Sequence, residues 1–154
     1  MRNVLTTLII AATLALSGAF AADNSLGTWK LNMDKSKFSP SAPVKSLTTI
    51  REAADGRLKV MTTGEQADGT PVNSSYTAKY DGEENTVTGA PYDTIAVKQI
   101  DANTFTFRQM KKDGKYSVTG RSAISEDGKI MTNSIEGTNA EGKAYKATMV
   151  WDKQ

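Results

Sequence analysis

The chain has 154 residues, 38% of them hydrophobic, and a formal net charge of +2. This length allows one ordinary domain with a core of its own. Cysteine and histidine are both absent, which excludes disulfides, the usual zinc and haem sites, and nucleophiles activated by histidine. The nearly balanced charge argues against a nucleic-acid partner, because a phosphate-binding surface normally shows a concentrated basic stripe.

The first 21 residues contain the three parts of an export signal in order. Arg2 supplies a basic start, the run from Val4 to Leu16 is largely apolar, and Ala19-Phe20-Ala21 has the small-x-small pattern of a cleavage site. We therefore predict a cleaved signal peptide at 1–21 and a periplasmic or secreted domain at 22–154. A membrane anchor is the alternative, but threonines interrupt the apolar run, and no later stretch has the roughly 20 apolar residues of an integral membrane span.

The rest of the chain is punctuated by an acidic residue followed by glycine. Such pairs favour tight hairpin turns, since glycine readily adopts a positive φ. Successive turns lie about a dozen residues apart, which leaves room for one strand between them and not for a crossover helix. The six pairs are Asp55-Gly56, Asp68-Gly69, Asp81-Gly82, Asp113-Gly114, Asp127-Gly128 and Glu141-Gly142.

The segments between these turns alternate in polarity with the period of a half-buried strand. Leu58, Val60 and Thr62 share one face, and Phe105 and Phe107 share another. The predicted strands are 26–32, 45–53, 57–64, 71–80, 85–89, 92–99, 104–111, 115–124, 129–137 and 143–152. The segment from Asp34 to Pro43 is the one long irregular connection expected.

The predicted fold class is all-β, an antiparallel up-and-down meander of about 8–10 strands. One apolar face must be hidden, and a sheet can hide it by closing into a lipocalin-like barrel, which also removes its edges. A two-layer β-sandwich is the alternative.

The two ends of this sheet carry a resemblance. Gly27-Thr28-Trp29-Lys30-Leu31 and Val150-Trp151-Asp152-Lys153 resemble the first and last strands of fatty-acid-binding proteins and the Gly-x-Trp signature of lipocalins. The first of these segments, continued by Asn32, also resembles the start of small exported bacterial proteins called lipocalin-like. The resemblance implies an up-and-down barrel that holds a small apolar molecule.

The resemblance also implies two barrel-closing residues, Trp29 as a plug at one end and a late arginine packed on it. Arg121 is the leading candidate for that arginine. Strict alternation turns Arg121 away from Tyr116 and Val118 unless Gly120 marks a bulge.

Two departures from the fatty-acid-binding proteins matter. The segment from Asp34 to Pro43 is too short for the two-helix lid of those proteins. Their last strand carries an Arg-x-Tyr pair that binds the ligand carboxylate, and this chain has Met149 and Trp151 at those positions. A buried cation is costly unless it has an anionic partner. The absence of the arginine from the last strand therefore predicts a ligand that is neutral and apolar, or no ligand at all. The ligand-binding residues expected from the aromatic and apolar pattern are Tyr76, Tyr80, Phe105, Phe107, Tyr116, Met149 and Trp151.

No catalytic constellation emerges from the sequence. The acidic residues lie mainly in turns, where they bond the turn backbone, and the methionines are scattered as core fillers would be. We therefore predict no enzyme, no metal and no cofactor, but an exported protein that binds a small hydrophobic ligand in a barrel. One alternative is an interaction or inhibitor module with a solid core, whose protein partner is unknown. The other is a small outer-membrane barrel.

Overall fold

A computed structural model describes residues 22–154 and shows ten strands and no helix within that range. The predicted signal peptide at 1–21 lies outside the described residues. The strands are β1 (Gly27–Ser39), β2 (Val44–Ala54), β3 (Arg57–Gln66), β4 (Pro71–Ala78), β5 (Asp81–Thr88), β6 (Thr94–Asp101), β7 (Thr104–Met110), β8 (Ser117–Ile124), β9 (Ile130–Thr138) and β10 (Ala144–Lys153). Each of the ten predicted strands is present.

The strands form one closed antiparallel barrel in which every strand pairs with its neighbours in sequence. β1 closes the ring by pairing with β10, with Leu31 opposite Trp151. The meander and its closure are therefore confirmed, and the two-layer sandwich is wrong. Within residues 22–154, no helix is long and apolar enough to cross a membrane.

The segment expected to be irregular after Asp34 is instead mostly strand. β1 continues to Ser39 by means of a bulge between Asn32 and Lys37. The Ser36 hydroxyl donates to the Asn32 carbonyl at 2.6 Å and accepts the Val150 amide at 2.9 Å. A side chain thus replaces the missing ladder bonds, so β1 stays attached to β10 across the bulge.

Five of the six acidic-glycine pairs lie at the hairpin corners. Asp55 and Gly56 have φ values of 50° and 72°, and positive φ at both central residues gives the turn the twist of its flanking strands. Asp81-Gly82 is the exception, because it opens β5 and does not form the turn before it.

Alternation places one face of every strand inside the barrel, and the interior core divides into two clusters. One lies near the chain ends and contains Trp29, Leu31, Phe105, Ile124, Met131 and Trp151. The other contains Ala78, Val87, Ile95 and Val97, with Tyr76, Tyr92 and Phe107 packed against it. The first cluster closes one end of the barrel, and we call that end the floor.

Candidate functional site

The floor is held shut by residues 22–25, which precede β1. The Asn24 amide donates to the Ala102 carbonyl at 3.1 Å, and Gln99 Nε2 donates to the Ala22 carbonyl at 2.9 Å. Asp23 Oδ1 accepts both the amide and the hydroxyl of Ser25, at 2.8 and 2.5 Å. This short segment is therefore tied to β6 and to the β6–β7 turn, and it lies across the end of the barrel.

Trp29 lies in the floor with none of its surface exposed. Its Nε1 donates to the carbonyl of the fully buried Ser25 at 2.8 Å, and the Lys153 ammonium lies 5.2 Å from the centre of its ring. The expectation that Trp29 plugs one end of the barrel agrees with this placement. The cation beside it belongs to the last strand and is a lysine.

The barrel-closing role expected for Arg121 is wrong. Arg121 is exposed, lies on the outer face of β8 and pairs with Thr106 and Ser134. Gly120 continues the regular ladder, so no bulge reverses the face. A side chain at position 120 would point inward, where an added Cβ would lie 2.2 Å from the Phe107 ring.

Above the floor, the barrel encloses a cavity of about 580 Å³. Its mouth is formed by the opposite end of the barrel, from the β1–β2, β3–β4, β5–β6 and β9–β10 connections. Six aromatic side chains line the interior: Tyr76, Tyr92, Phe107, Tyr116, Tyr145 and Trp151. The barrel is therefore not filled solid by its own side chains.

Two stacked tyrosines form one wall of the cavity. The rings of Tyr92 and Tyr116 are 5.5 Å apart, centre to centre, and are inclined by 20°. Gln109 connects their hydroxyls, since it accepts from Tyr116 at 3.0 Å and donates to Tyr92 at 3.1 Å. This bonding fixes the two rings and presents a flat aromatic surface to the interior.

The tyrosines of the cavity stay protonated at neutral pH. Burial raises the pKa of Tyr76, Tyr92, Tyr116 and Tyr145 above the ordinary value, because the phenolate would lose its hydration. The Arg51 charge acts in the opposite direction on the pKa of Tyr76. These phenols can donate or accept hydrogen bonds, but they supply no charge to a ligand.

Three buried polar atoms of the described chain lack a hydrogen-bond partner, and all three belong to residues that line this cavity. They are Arg51 Nε on β2, Asn133 Oδ1 on β9 and Trp151 Nε1 on β10. A buried polar group without a partner costs about 1–3 kcal/mol, and native proteins contain few of them. Their concentration in one cavity marks it as the candidate site.

Arg51 also changes the electrostatics expected for the interior. The last strand carries no cation at Met149 or Trp151, but β2, which is separated from it by β1 alone, supplies Arg51. Among the described residues that line the cavity, Arg51 is the basic one and Glu141, exposed near the mouth, is the acidic one. The neutral ligand was inferred from the absence of a cation inside the barrel, and Arg51 removes that basis.

The structure brings together most of the aromatic and apolar residues predicted to bind a ligand. Tyr76, Phe107, Tyr116, Met149 and Trp151 all line the cavity, and their role in binding stays a prediction.

Phe105 and Tyr80 belong to the floor instead. Phe105 is 1% exposed, and its ring lies 5.4 Å from that of Tyr80. The Tyr80 hydroxyl donates to Asp23, which binds Ser25 beneath Trp29. Both rings therefore close the barrel and do not line the cavity.

Sequence reasoning missed several lining residues, among them Arg51, Gln109 and Tyr92, and a signal existed for the first two. Arg51 follows Leu47 and Thr49 at intervals of two, so alternation places it inside. Gln109 shares the face of Phe107 in the same way. Tyr92 lies in the connection before β6, where no alternation indicates the direction of its side chain.

A second, more open groove of about 760 Å³ lies on the outer surface of the barrel. It crosses β6 to β10 and the end of β1, and its exposed basic residues are Lys37, Lys98, Arg108, Arg121 and Lys146. Arg108 is paired with Glu84 at 3.0 Å. Its basic side chains face solvent, as outward residues of a barrel do, so this groove lacks the enclosure of a ligand pocket.

Within residues 22–154, no three histidine, cysteine, aspartate or glutamate side chains are grouped closely enough to hold a metal ion. No family model matches the chain, and no curated protein matches it. Among solved structures, the chain is similar to EF1p2_mFAP2b bound to DFHBI, with 10% sequence identity and a TM-score of 0.48 over 85% of this chain and 94% of that one.

Proposed function

We propose that this protein binds a small, largely apolar organic molecule inside its barrel. The observation that carries the proposal is the interior cavity of about 580 Å³. Ligand pockets typically measure 300–1,000 Å³ and combine an apolar lining with a few polar groups. Aromatic walls with Arg51, Asn133 and Trp151 among them fit that description.

The proposal is of binding, not of catalysis. The titratable side chains within the cavity are mainly phenols whose pKa burial has raised, so they are poor bases at neutral pH. The export signal predicted at 1–21 would place such a carrier or sequestering protein in the periplasm or outside the cell. The competing interaction module needs a solid core, and the cavity counts against that feature.

Titration with phenylnaphthylamine, a neutral dye that fluoresces in apolar surroundings, tests the proposal. Two substitutions on β4 provide a matched pair, because Ser74 lines the cavity and its neighbour Ser75 is exposed on the outer face. Ser74→Phe should fill part of the cavity and weaken dye binding by about tenfold or more, equivalent to 1.4 kcal/mol. Ser75→Phe should leave the affinity unchanged.

Native mass spectrometry of protein purified from its own host complements the titration, since a bound molecule adds a defined mass. The proposal fails if neither this dye nor a charged relative of it binds, or if Ser74→Phe and Ser75→Phe weaken binding equally. Circular dichroism and urea unfolding of both variants establish that each is folded before the affinities are compared.

A further inference from the structure

We infer that the cavity selects a flat organic anion, held through its charged oxygens by Arg51 and Trp151. This inference rests on the proposed function, since it specifies the ligand of the same cavity. It follows from the unpaired donors, from the charge of Arg51, and from the aromatic wall.

The unpaired donors define the head group. Arg51 Nε and Trp151 Nε1 each carry an N–H without an acceptor, and both line the same cavity. Trp151 is only 5% exposed, so bulk water does not solvate its N–H. A group that satisfies these donors must supply acceptor oxygens, as carboxylates and sulfonates do.

The positive charge of Arg51 favours a ligand whose acceptor oxygens belong to an anionic group. Guanidinium stays protonated in proteins and pairs best with planar oxyanions through charge-assisted hydrogen bonds. The salt bridges of residues 22–154 are Lys45–Glu65, Arg108–Glu84 and Lys111–Asp93, all on the surface. Arg51 thus has no carboxylate partner in the described chain, and an entering anion would provide one.

Asn133 adds a second polar contact, a hydrogen-bond acceptor where Arg51 and Trp151 offer donors. Its Oδ1 is a buried acceptor without a donor, and its neighbour across the β9–β10 ladder, Met149, also lines the cavity. A ligand that carries a hydroxyl or N–H group as well as an anion would satisfy all three atoms. An alkyl chain would leave Asn133 unpaired.

The walls define the body of the ligand. Tyr92 and Tyr116 are stacked and held by Gln109, and Phe107 and Trp151 line the same space. Aromatic faces prefer offset or edge contacts with other flat rings. The inferred class is therefore an aromatic or conjugated acid with one anionic group.

Two dyes of nearly the same shape test the charge. Anilinonaphthalene sulfonate carries a sulfonate, whereas phenylnaphthylamine is neutral. We expect the sulfonate dye to bind at least about tenfold more tightly, as one charge-assisted pair would give. Arg51→Gln should abolish this preference while phenylnaphthylamine still binds, which also shows that the variant is folded.

Arg121→Gln is the matched control, because it makes the same substitution at an exposed arginine on the outside of the barrel. It should leave both affinities unchanged. Competition completes the experiment, since naphthoate should displace the sulfonate dye at lower concentration than decanoate does.

The outcomes separate the two proposals. Failure of both dyes to bind overturns the proposed function and this inference together. Equal binding of the two dyes, or equal losses in Arg51→Gln and Arg121→Gln, overturns the anion alone and leaves a neutral-ligand cavity whose polar atoms are bonded to water. Better competition by decanoate overturns the flat body of the ligand.

Discussion

The two tryptophans of the floor cluster, Trp29 and Trp151, differ in how their indole N–H groups are bonded. In the floor, Trp29 is fully buried and its Nε1 is bonded to the Ser25 carbonyl. Toward the cavity, Trp151 is almost as buried at 5% exposure, but its Nε1 has no partner. The chain has only these two tryptophans. Because the residue type is the same, the difference in bonding arises from the surroundings of each side chain.

The floor and the cavity therefore differ in whether their buried polar atoms have hydrogen-bond partners within the protein. The floor satisfies its buried polar groups with local partners, from Asp23 to Ser25 to Trp29. The cavity contains three buried polar atoms without a partner in the described protein, Arg51 Nε, Asn133 Oδ1 and Trp151 Nε1, whereas buried polar groups of a structural core are usually bonded within the protein. Departures from a satisfied core are expected where a protein binds something.

Removal of the Trp29 side chain should produce the largest change. Trp29→Ala deletes the centre of the floor and should lower the free energy of unfolding by about 3–5 kcal/mol. Urea unfolding followed by circular dichroism measures this loss. A loss below about 1 kcal/mol, smaller than that of most core truncations, would show that the floor is not the stabilising region.

Alkaline pH should lower the stability of the whole fold. Burial raises the pKa of Tyr76, Tyr92, Tyr116 and Tyr145, and in the unfolded chain tyrosine titrates near pH 10. The unfolded state therefore loses protons first, so the free energy of unfolding should fall as the pH rises above about 10. Below that pH these tyrosines should cause no change.

Urea unfolding at a series of pH values from 8 to about 11 tests this expectation. Tyr92→Phe should reduce the slope above pH 10, since one raised pKa is removed. A slope that is the same in the wild type and in Tyr92→Phe would contradict the burial of this phenol.

Loss of Asp23 should loosen the floor by a smaller amount. Asp23→Ala removes the acceptor of the Ser25 amide, the Ser25 hydroxyl and the Tyr80 hydroxyl. The expected decrease in the free energy of unfolding is about 1–3 kcal/mol, because buried donors then lack partners. Asp34→Ala, at an exposed acid of β1, is the control and should change stability by less than about 0.5 kcal/mol.

The smallest effect should have the opposite sign. Asn133→Leu replaces a buried unpaired acceptor by an apolar side chain of similar size, so the ligand-free protein should become more stable by up to about 1 kcal/mol. Thermal unfolding without added ligand detects the change. A clear destabilisation would mean that Asn133 already has a strong partner, and the contrast between floor and cavity would then weaken.

The fold could be predicted from the sequence because its determinants are local. Asp55-Gly56 and the related pairs impose the hairpin corners, and alternation in segments such as Leu58, Val60 and Thr62 decides which face is buried. The extension of β1 could not be predicted in this way, since it depends on Ser36 bonding to Val150, which is distant in the sequence.

The candidate site was only partly predictable, because its polar members come from separate strands. Aromatic alternation identified Tyr76, Phe107 and Trp151 as interior residues. That Phe105 lies in the floor while Phe107 lines the cavity depends on the depth of each residue in a tilted barrel, which the periodicity of two does not encode. Arg51 was accessible to alternation, but its lack of a partner appears only when the surrounding strands are assembled.

The indole N–H signals test the central contrast most directly. With two tryptophans in the chain, a proton–nitrogen correlation spectrum should show two indole peaks, assigned with Trp151→Phe. Titration with anilinonaphthalene sulfonate should move the Trp151 peak as its N–H gains an acceptor, and leave the Trp29 peak in place. Movement of the Trp29 peak alone, or of neither peak while the dye binds, would contradict a closed floor beneath a binding cavity.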